Sequence, residues 1–216
     1  MSSSITLGTN TYTLVPFPSY PGLSQVELTM TDAVAVVSSP FVPAQTQTQS
    51  WPGADAWSLT ATPPKMNRAT AAPWRAFLAE LRGMQNVFQI GDPFAAIPQG
   101  QALGAPVCNT TGTNNLTSAT SLVTKGWTAN VFGQLLAGDY VQVGYRLYEV
   151  CENVNSDASG NATISIYPSL RECPPNNTAL VLTNTVGLFR LAQNTRSWHA
   201  DFTGLVQISL HAIEVR

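Results

Sequence analysis

The sequence predicts a mainly β protein: a β-sandwich or barrel domain with one short α-helix, plus an inserted small β-barrel domain. Three observations carry that expectation. Short runs rich in Val, Ile, Thr and aromatic residues recur along the chain, parted by clusters of Gly, Pro, Asn and Asp, which is the pattern of strands and turns. One segment, "PWRAFLAELRGMQNVFQIGDP" (residues 73–93), carries apolar residues at helical spacing. The chain also ends on an apolar run, and a terminal strand of that kind pairs into a sheet begun elsewhere.

Taken in order, "SITLGTNTYTLVPF" and "SQVELTMTDAVAVVSS" read as strands, parted by the turn-rich "PSYPG". The polar, charge-free run "PAQTQTQS" reads as a mobile loop. In "AWSLTATPP", Trp57 and Leu59 share one face, while Ser58 and Thr60 share the other. The helix is expected to open at Pro73, whose missing N–H is no loss at a first helical position. Trp74, Phe77, Leu78 and Leu81 fall at i, i+3, i+4 and i+7 and form one apolar stripe, with Arg75, Glu80 and Arg82 off it. Gly83 stops the helix in the place of a C′ residue. A three-turn helix is marginal alone in water, so the stripe must lie on a sheet.

"QNVFQIGDP" starts another strand, and "PQGQALGAP" (residues 98–106) reads as a crossover. Beyond it, "SLVTKGW", "DYVQVGYRLYEV", "NATISIYPSLRE" and "TALVLTNT" are short strands at the spacing of a compact barrel, with "NSDASGN" as a turn. "GLFRLA" and "LVQISLHAIEV" then flank a polar turn. Leu205, Ile208, Leu210 and Ile213 do not share one parity, which implies a bulge or a strand buried on both faces. The simplest topology is a domain split between residues 1–102 and 185–216, with a small barrel inserted at 103–184.

Composition narrows the function. Of 216 residues, 44% are hydrophobic, enough for a sizeable core, but only 10% are charged, against about 25% in a typical soluble domain. The polar load falls on Thr, Asn, Gln and Ser, whose desolvation costs less than that of Lys or Glu, so such a surface suits coverage by partners. A net charge of −2 gives no basic excess for a broad nucleic-acid surface. No apolar run reaches the roughly 18 residues of a membrane span. "MSSSITLGTN" lacks a basic region followed by an apolar one, so no signal peptide is expected and synthesis reads as cytosolic.

The candidates for chemistry are few. Cys108, Cys151 and Cys173 are odd in number and form no CxxC pair, which argues against a disulfide framework or zinc site. Cys151, in "RLYEVCENV", is expected to be a small buried hydrophobe. The sequons at Asn109, Asn115, Asn161 and Asn176 are taken as turn chemistry. His199, beside Trp198 and near Asp201, and His211, in the last strand, read as structural or surface residues. No nucleophile elbow, Walker loop, HExxH or dinucleotide fingerprint occurs. Asp92 in "GDP" and Asp139 in "AGD" are placed to cap backbone N–H groups, and Asp92, Asp139 and Asp157 would hold an ion only if the fold gathered them. No catalytic, cofactor-binding or metal-binding residue is therefore expected.

Three blocks together resemble a known family: "WRAFLAELRGMQNVFQIGDPFAAIPQG"; "LVTKGW" with "LLAGDYVQVGYRLYEVCENVNSDASGNATISIYPSLRE"; and "GLFRLAQNTRSWHADFTG". They are similar to the distal tail proteins and related tail-tip structural proteins of long-tailed bacteriophages. The likeness covers roughly residues 57–216. The resemblance implies a tail-tube-like domain whose copies assemble into a ring, typically a hexamer, where tail tube meets tip or baseplate, with a peripheral barrel. It implies a non-enzymatic structural protein of the virion tail with no cofactor, assembled in the host bacterial cytoplasm beside tail tube and hub proteins. In such subunits a lone helix braces the outside of the ring-forming sheet. The other classes weighed are a carbohydrate-binding accessory module, with the 103–184 barrel on a host glycan, and a glycan hydrolase, which needs paired carboxylates in one cleft.

Overall fold

The computed structural model describes residues 3–42 and 44–216; Pro43, in the expected Gln/Thr loop, lies outside them, as do residues 1 and 2. The chain opens with a hairpin of β1 (Ser3–Leu7) and β2 (Asn10–Leu14). It continues through β3 (Gln25–Thr31), β4 (Val34–Ser38), β5 (Thr46–Ser50) and β6 (Ala56–Thr62) to helix α1 (Arg68–Glu80) and β7 (Phe88–Ile90). After a 3-10 turn at Pro93–Ala95 come β8 (Gly104–Cys108), β9 (Ser121–Trp127), β10 (Tyr140–Val143), β11 (Arg146–Val150), β12 (Asn161–Tyr167) and β13 (Leu180–Val181). The chain closes with β14 (Gly187–Leu191), β15 (Trp198–Ala200), β16 (Val206–Ile208) and β17 (Leu210–Glu214).

Two sheets organise these strands. The first has five strands in the order β3-β6-β17-β14-β7, all antiparallel, so its middle mixes strands from both ends of the chain. The terminal strand β17 lies between β6 and β14. The second has six strands in the order β13-β10-β11-β12-β9-β8. It nearly closes into a barrel, because a bridge joins Val107 to Ala179 and the Cys108 N–H reaches the Thr178 carbonyl at 2.8 Å. Leu122, Val141, Tyr148 and Ile164 fill its interior. The chain leaves the first sheet after Ile90 and returns to it at Gly187. At the exit, a Cβ on Gly91 would fall 1.8 Å from the Thr185 carbonyl, so only glycine lets the outgoing and returning strands pass this closely.

Helix α1 covers the first sheet with the expected stripe: Trp74, Phe77, Leu78 and Leu81 are all buried. Phe17 is wedged among them, edge-on to Trp74 (5.2 Å between centroids) and Phe77 (5.4 Å) and stacked near Phe88 (5.7 Å). Edge-to-face pairs of this kind add about 0.5–1.5 kcal/mol each beyond their buried area.

The boundaries differ from the sequence expectation in five places. The helix begins five residues before Pro73, because the Asn67 side chain accepts the Thr70 N–H at 3.0 Å and caps it. Pro73 sits inside the helix on its exposed face, where water can replace the one backbone bond it removes. At the other end Arg82 (φ +49°) takes the left-handed place directly after the Leu81 cap, and Gly83 (φ +71°) follows it; a Cβ on Gly83 would lie 2.6 Å from Asn194 Oδ1. "SITLGTNTYTLV" is not one strand but a hairpin that turns at Gly8 and Thr9, with Gly8 at φ +56°. The Gln/Thr run is not a loop: it supplies β5, paired along its length with β4. Cys151 is exposed, since β11 ends at Val150 and the chain turns outward there.

The last strands keep strict alternation. Val206, Ile208, Leu210, Ala212 and Glu214 are buried, and the residues between them are half-buried or exposed. Leu205 and Ile213, which broke the parity on paper, are only half-buried. Truncation of Phe77 to alanine should cost about 3–5 kcal/mol, read as a shift of the urea midpoint at unchanged slope. A loss below about 1 kcal/mol would mean that the aromatic wedge does not carry the helix.

Candidate assembly surface

The residues singled out for chemistry lie on several different elements. His199 lies exposed on β15, and His211 on the outer face of β17, where its Nδ1 is 3.1 Å from Thr60 Oγ1. Asp92 accepts the Phe94 N–H at 2.9 Å. Asp139 accepts the N–H groups of Gln99 (2.7 Å), Gly100 (3.1 Å) and Leu136 (2.8 Å), which ties the crossover segment to the barrel. Asp157 accepts from Ser159 (2.7 Å) and Asn161 (2.8 Å) and shapes the turn before β12. These carboxylates are spent on backbone. Among the described residues no three His, Cys, Asp or Glu side chains converge to hold a metal. Asn115 is buried, exchanging bonds with the Val123 backbone at 2.9 and 2.6 Å, while Asn176 accepts the Thr110 N–H at 3.1 Å. Cys108 is buried and its thiol is pushed up to about 11 by burial, while Cys151 and Cys173 are free and exposed.

Charge converges instead where barrel meets sheet. Arg171, just past β12, donates from Nη2 to Glu214 Oε2 at 3.0 Å and to the Asp55 carbonyl, and from Nη1 to the Gly53 carbonyl at 2.9 Å. Its Nη1 also lies 3.6 Å from Asp55 Oδ1. The Arg171 and Glu214 side chains are 5% and 3% exposed, so this is a desolvated pair. Asp55 accepts the Ser169 N–H at 2.5 Å and its hydroxyl at 2.7 Å. Burial works to raise the Asp55 pKa, but the Ser169 bonds and the Arg171 charge outweigh it and hold the carboxyl below its ordinary value. Arg146, also buried, reaches the Val215 carbonyl and lies 3.5 Å from Glu172. Around the charges, Trp57 packs edge-on against Tyr167 (5.2 Å) and near Tyr140 (6.3 Å), and its Nε1 donates to the Leu147 carbonyl at 3.2 Å. The Tyr167 hydroxyl donates to the carbonyls of Thr31 (3.2 Å) and Ala56 (3.3 Å), and burial pushes its pKa up to about 12.

The second feature is an arm. The β3–β6 pair continues outward as β4–β5, and this outer hairpin pairs only with itself. Residues 33–54 carry no charged side chain. Among the described residues nothing on the hairpin is buried: Val34, Val36, Val37 and Val42 are all at least half exposed, and Phe41 near the tip is 90% exposed. The register places Val36 opposite Thr48 and Val37 opposite Gln47, so the apolar residues lie on one strand and show on both faces. The five residues of β4 span about 17 Å before the turn. Beside the arm, β3 forms an open edge of the five-stranded sheet; the opposite edge, β7, is met by a parallel bridge from Leu14 to Val87.

No protein-family model matches the chain, and no curated protein matches its sequence. Among the described residues no helix is long and apolar enough to cross a membrane.

Sequence reasoning passed over Asp55, Arg171 and Glu214. A signal was present: Glu214 stands on the same parity as Ile208 and Leu210, where an apolar residue is expected. For the arm, the strict Thr/Gln alternation of "TQTQ" was a period-two strand signal masked by its polarity.

Two outcomes test the junction. Arg171→Ala should cost about 3–5 kcal/mol in denaturant titration, because it strands Glu214, whereas Arg171→Met with Glu214→Leu should recover most of that loss. The pKa of Asp55 is lower folded than unfolded, so its contribution is present above about pH 4 and is lost as pH falls through the depressed folded value. Thermal midpoints should therefore drop more steeply below about pH 4 in the native protein than in Asp55→Asn.

Proposed function

We propose that this protein is a structural, non-catalytic component of a bacteriophage tail, forming a ring at the distal end of the tail tube that joins the tube to the tip or baseplate. The observation that carries the assembly part of this reading is the β4–β5 arm. A lone two-stranded hairpin is at best marginal in water, and this one has no buried face. The "AVAVV" run on it is apolar, charge-free and β-prone, the composition of an aggregation site when left uncovered. A working assembly covers it. A stable contact takes about 20–30 residues a side, which residues 33–51 approach and the open β3 edge completes. Donor arm and receiving face belong to different parts of the surface, so the contact is heterologous and closes into a ring when the rotation allows. The phage identity and the hexameric number rest on the sequence resemblance.

Native mass spectrometry of the intact protein should give a closed oligomer, a hexamer of the 23.1 kDa chain. Replacing residues 34–50 with an Asn-Gly turn should leave a folded monomer whose far-UV circular dichroism loses only the strand signal of the hairpin and whose thermal transition stays cooperative. An intact protein that stays monomeric at high concentration, and is absent from virions by mass spectrometry, would defeat this reading.

A further inference from the structure

Along the flank of helix α1, beside its buried stripe and with Phe77 of that stripe in its lining, runs an open groove of about 750 Å³. One wall is the N-terminal segment with Phe17, Pro18 and Tyr20; the other is the exposed helix face with Ala69, Pro73 and Ala76. Tyr20 is 74% exposed, although its carbonyl is fixed by the Trp74 Nε1 at 3.0 Å. Glu80 is the only charged residue lining the groove.

We propose that this groove receives the arm of a second copy of the chain, with Phe41 and Val42 seated between Tyr20 and the Ala76 turn of the helix. The proposal rests on the ring reading above and names the receiving surface. Four physical points select this occupant. Pro16 and Pro18 on the wall have no N–H to donate, so the wall cannot extend a β-ladder, and what docks must enter by its side chains. The tip offers such side chains: Phe41 and Val42 stand exposed at the turn, beyond the last β4–β5 pair at Ser38 and Thr46. Small residues on the helix wall let a hairpin approach closely, and the groove volume takes several apolar side chains. Finally, a charge-free arm meets a groove with one carboxylate at its rim, so docking desolvates almost no charge. The arm contributes nearly the 20 residues that a stable interface needs from one side. Each copy carries one arm and one groove on different parts of its surface, as head-to-tail closure requires.

Cross-linking tests the contact. In a background of Cys151→Ser and Cys173→Ser, which removes the exposed thiols, Val42→Cys is combined with Ala76→Cys. Oxidation of the assembled protein should give a covalent ladder on non-reducing gels. Each single substitution should give no ladder. Ala76→Glu should weaken assembly at least tenfold by analytical ultracentrifugation, with an unchanged melting curve at dilutions where both proteins are monomeric, because Ala76 is exposed and glutamate suits a helix. Intact rings with no ladder, or rings unaffected by Ala76→Glu, would overturn the groove assignment while leaving the ring standing and giving the groove to another protein. A monomer in the unmodified protein would overturn the ring reading and the groove with it.

Discussion

The Arg171–Glu214 pair is the contact on which the two halves of this molecule depend. One partner follows the last long barrel strand, and the other ends the strand that occupies the middle of the split sheet. Both side chains are out of water, so each charge is tolerable only in the presence of the other. Their geometry also fixes Asp55 and Gly53 at the start of β6, so a single guanidinium sets the place of the barrel, the terminal strand and the root of the arm. Trp57 and the tyrosines Tyr140 and Tyr167 shut water out of this junction, which strengthens each polar contact inside it.

An apolar junction of the same volume would serve stability as well or better, since buried ion pairs rarely gain over packed hydrocarbon. What the ion pair adds is geometry. A guanidinium fork accepts partners only at set angles, so it resists sliding of barrel over sheet in a way that a greasy contact does not. Two further hydrogen bonds act in the same direction: the Leu188 N–H donates to the Tyr145 carbonyl at 3.1 Å, and the Val186 N–H donates to the side-chain Oε1 of Gln142 at 2.9 Å. A small unit inserted through two neighbouring crossings is otherwise free to hinge about them. These bonds remove that freedom.

Much of this fold was legible because it follows periodicity. The helix stripe and the face shared by Trp57 and Leu59 came from spacing alone, and burial agrees with both. The errors have physical sources. The helix starts before Pro73 because the Asn67 cap, a weaker signal in the sequence than proline, sets its first turn. The parity of the last strands looked broken because hydrophobicity was used as a proxy for burial. Glu214 defeats that proxy, as it is polar and buried only because Arg171, distant in sequence, meets it there. Cys151 erred the other way, being apolar in character but placed past a strand end. Half of the arm was legible: the apolar run of β4 reads as strand, whereas β5 is polar on both faces and leaves no hydrophobic imprint. The junction needed knowledge of contacts between residues from 43 to 118 positions apart, which no local window supplies.

The arm raises a sharper question of sequence economy. In a chain with one charged residue in ten, an uncharged run of its length is ordinary, so absence of charge says little by itself. The position of its valines says more. Natural sheets guard exposed edges with lysine, proline or a bulge, and β4 has none of these along its length. Polar residues fill β5, so the hairpin is soluble along one strand and adhesive along the other. That asymmetry is what the proposed ring would require of a segment exposed in the single chain and covered by a neighbour. A uniformly apolar hairpin would aggregate before finding its site, and a uniformly polar one would gain too little on docking to order there. In the proposed ring, the division of labour between β4 and β5 would present one adhesive strand to the neighbour while the other stays polar, with the β3–β6 pair beneath it and the ion pair at its root.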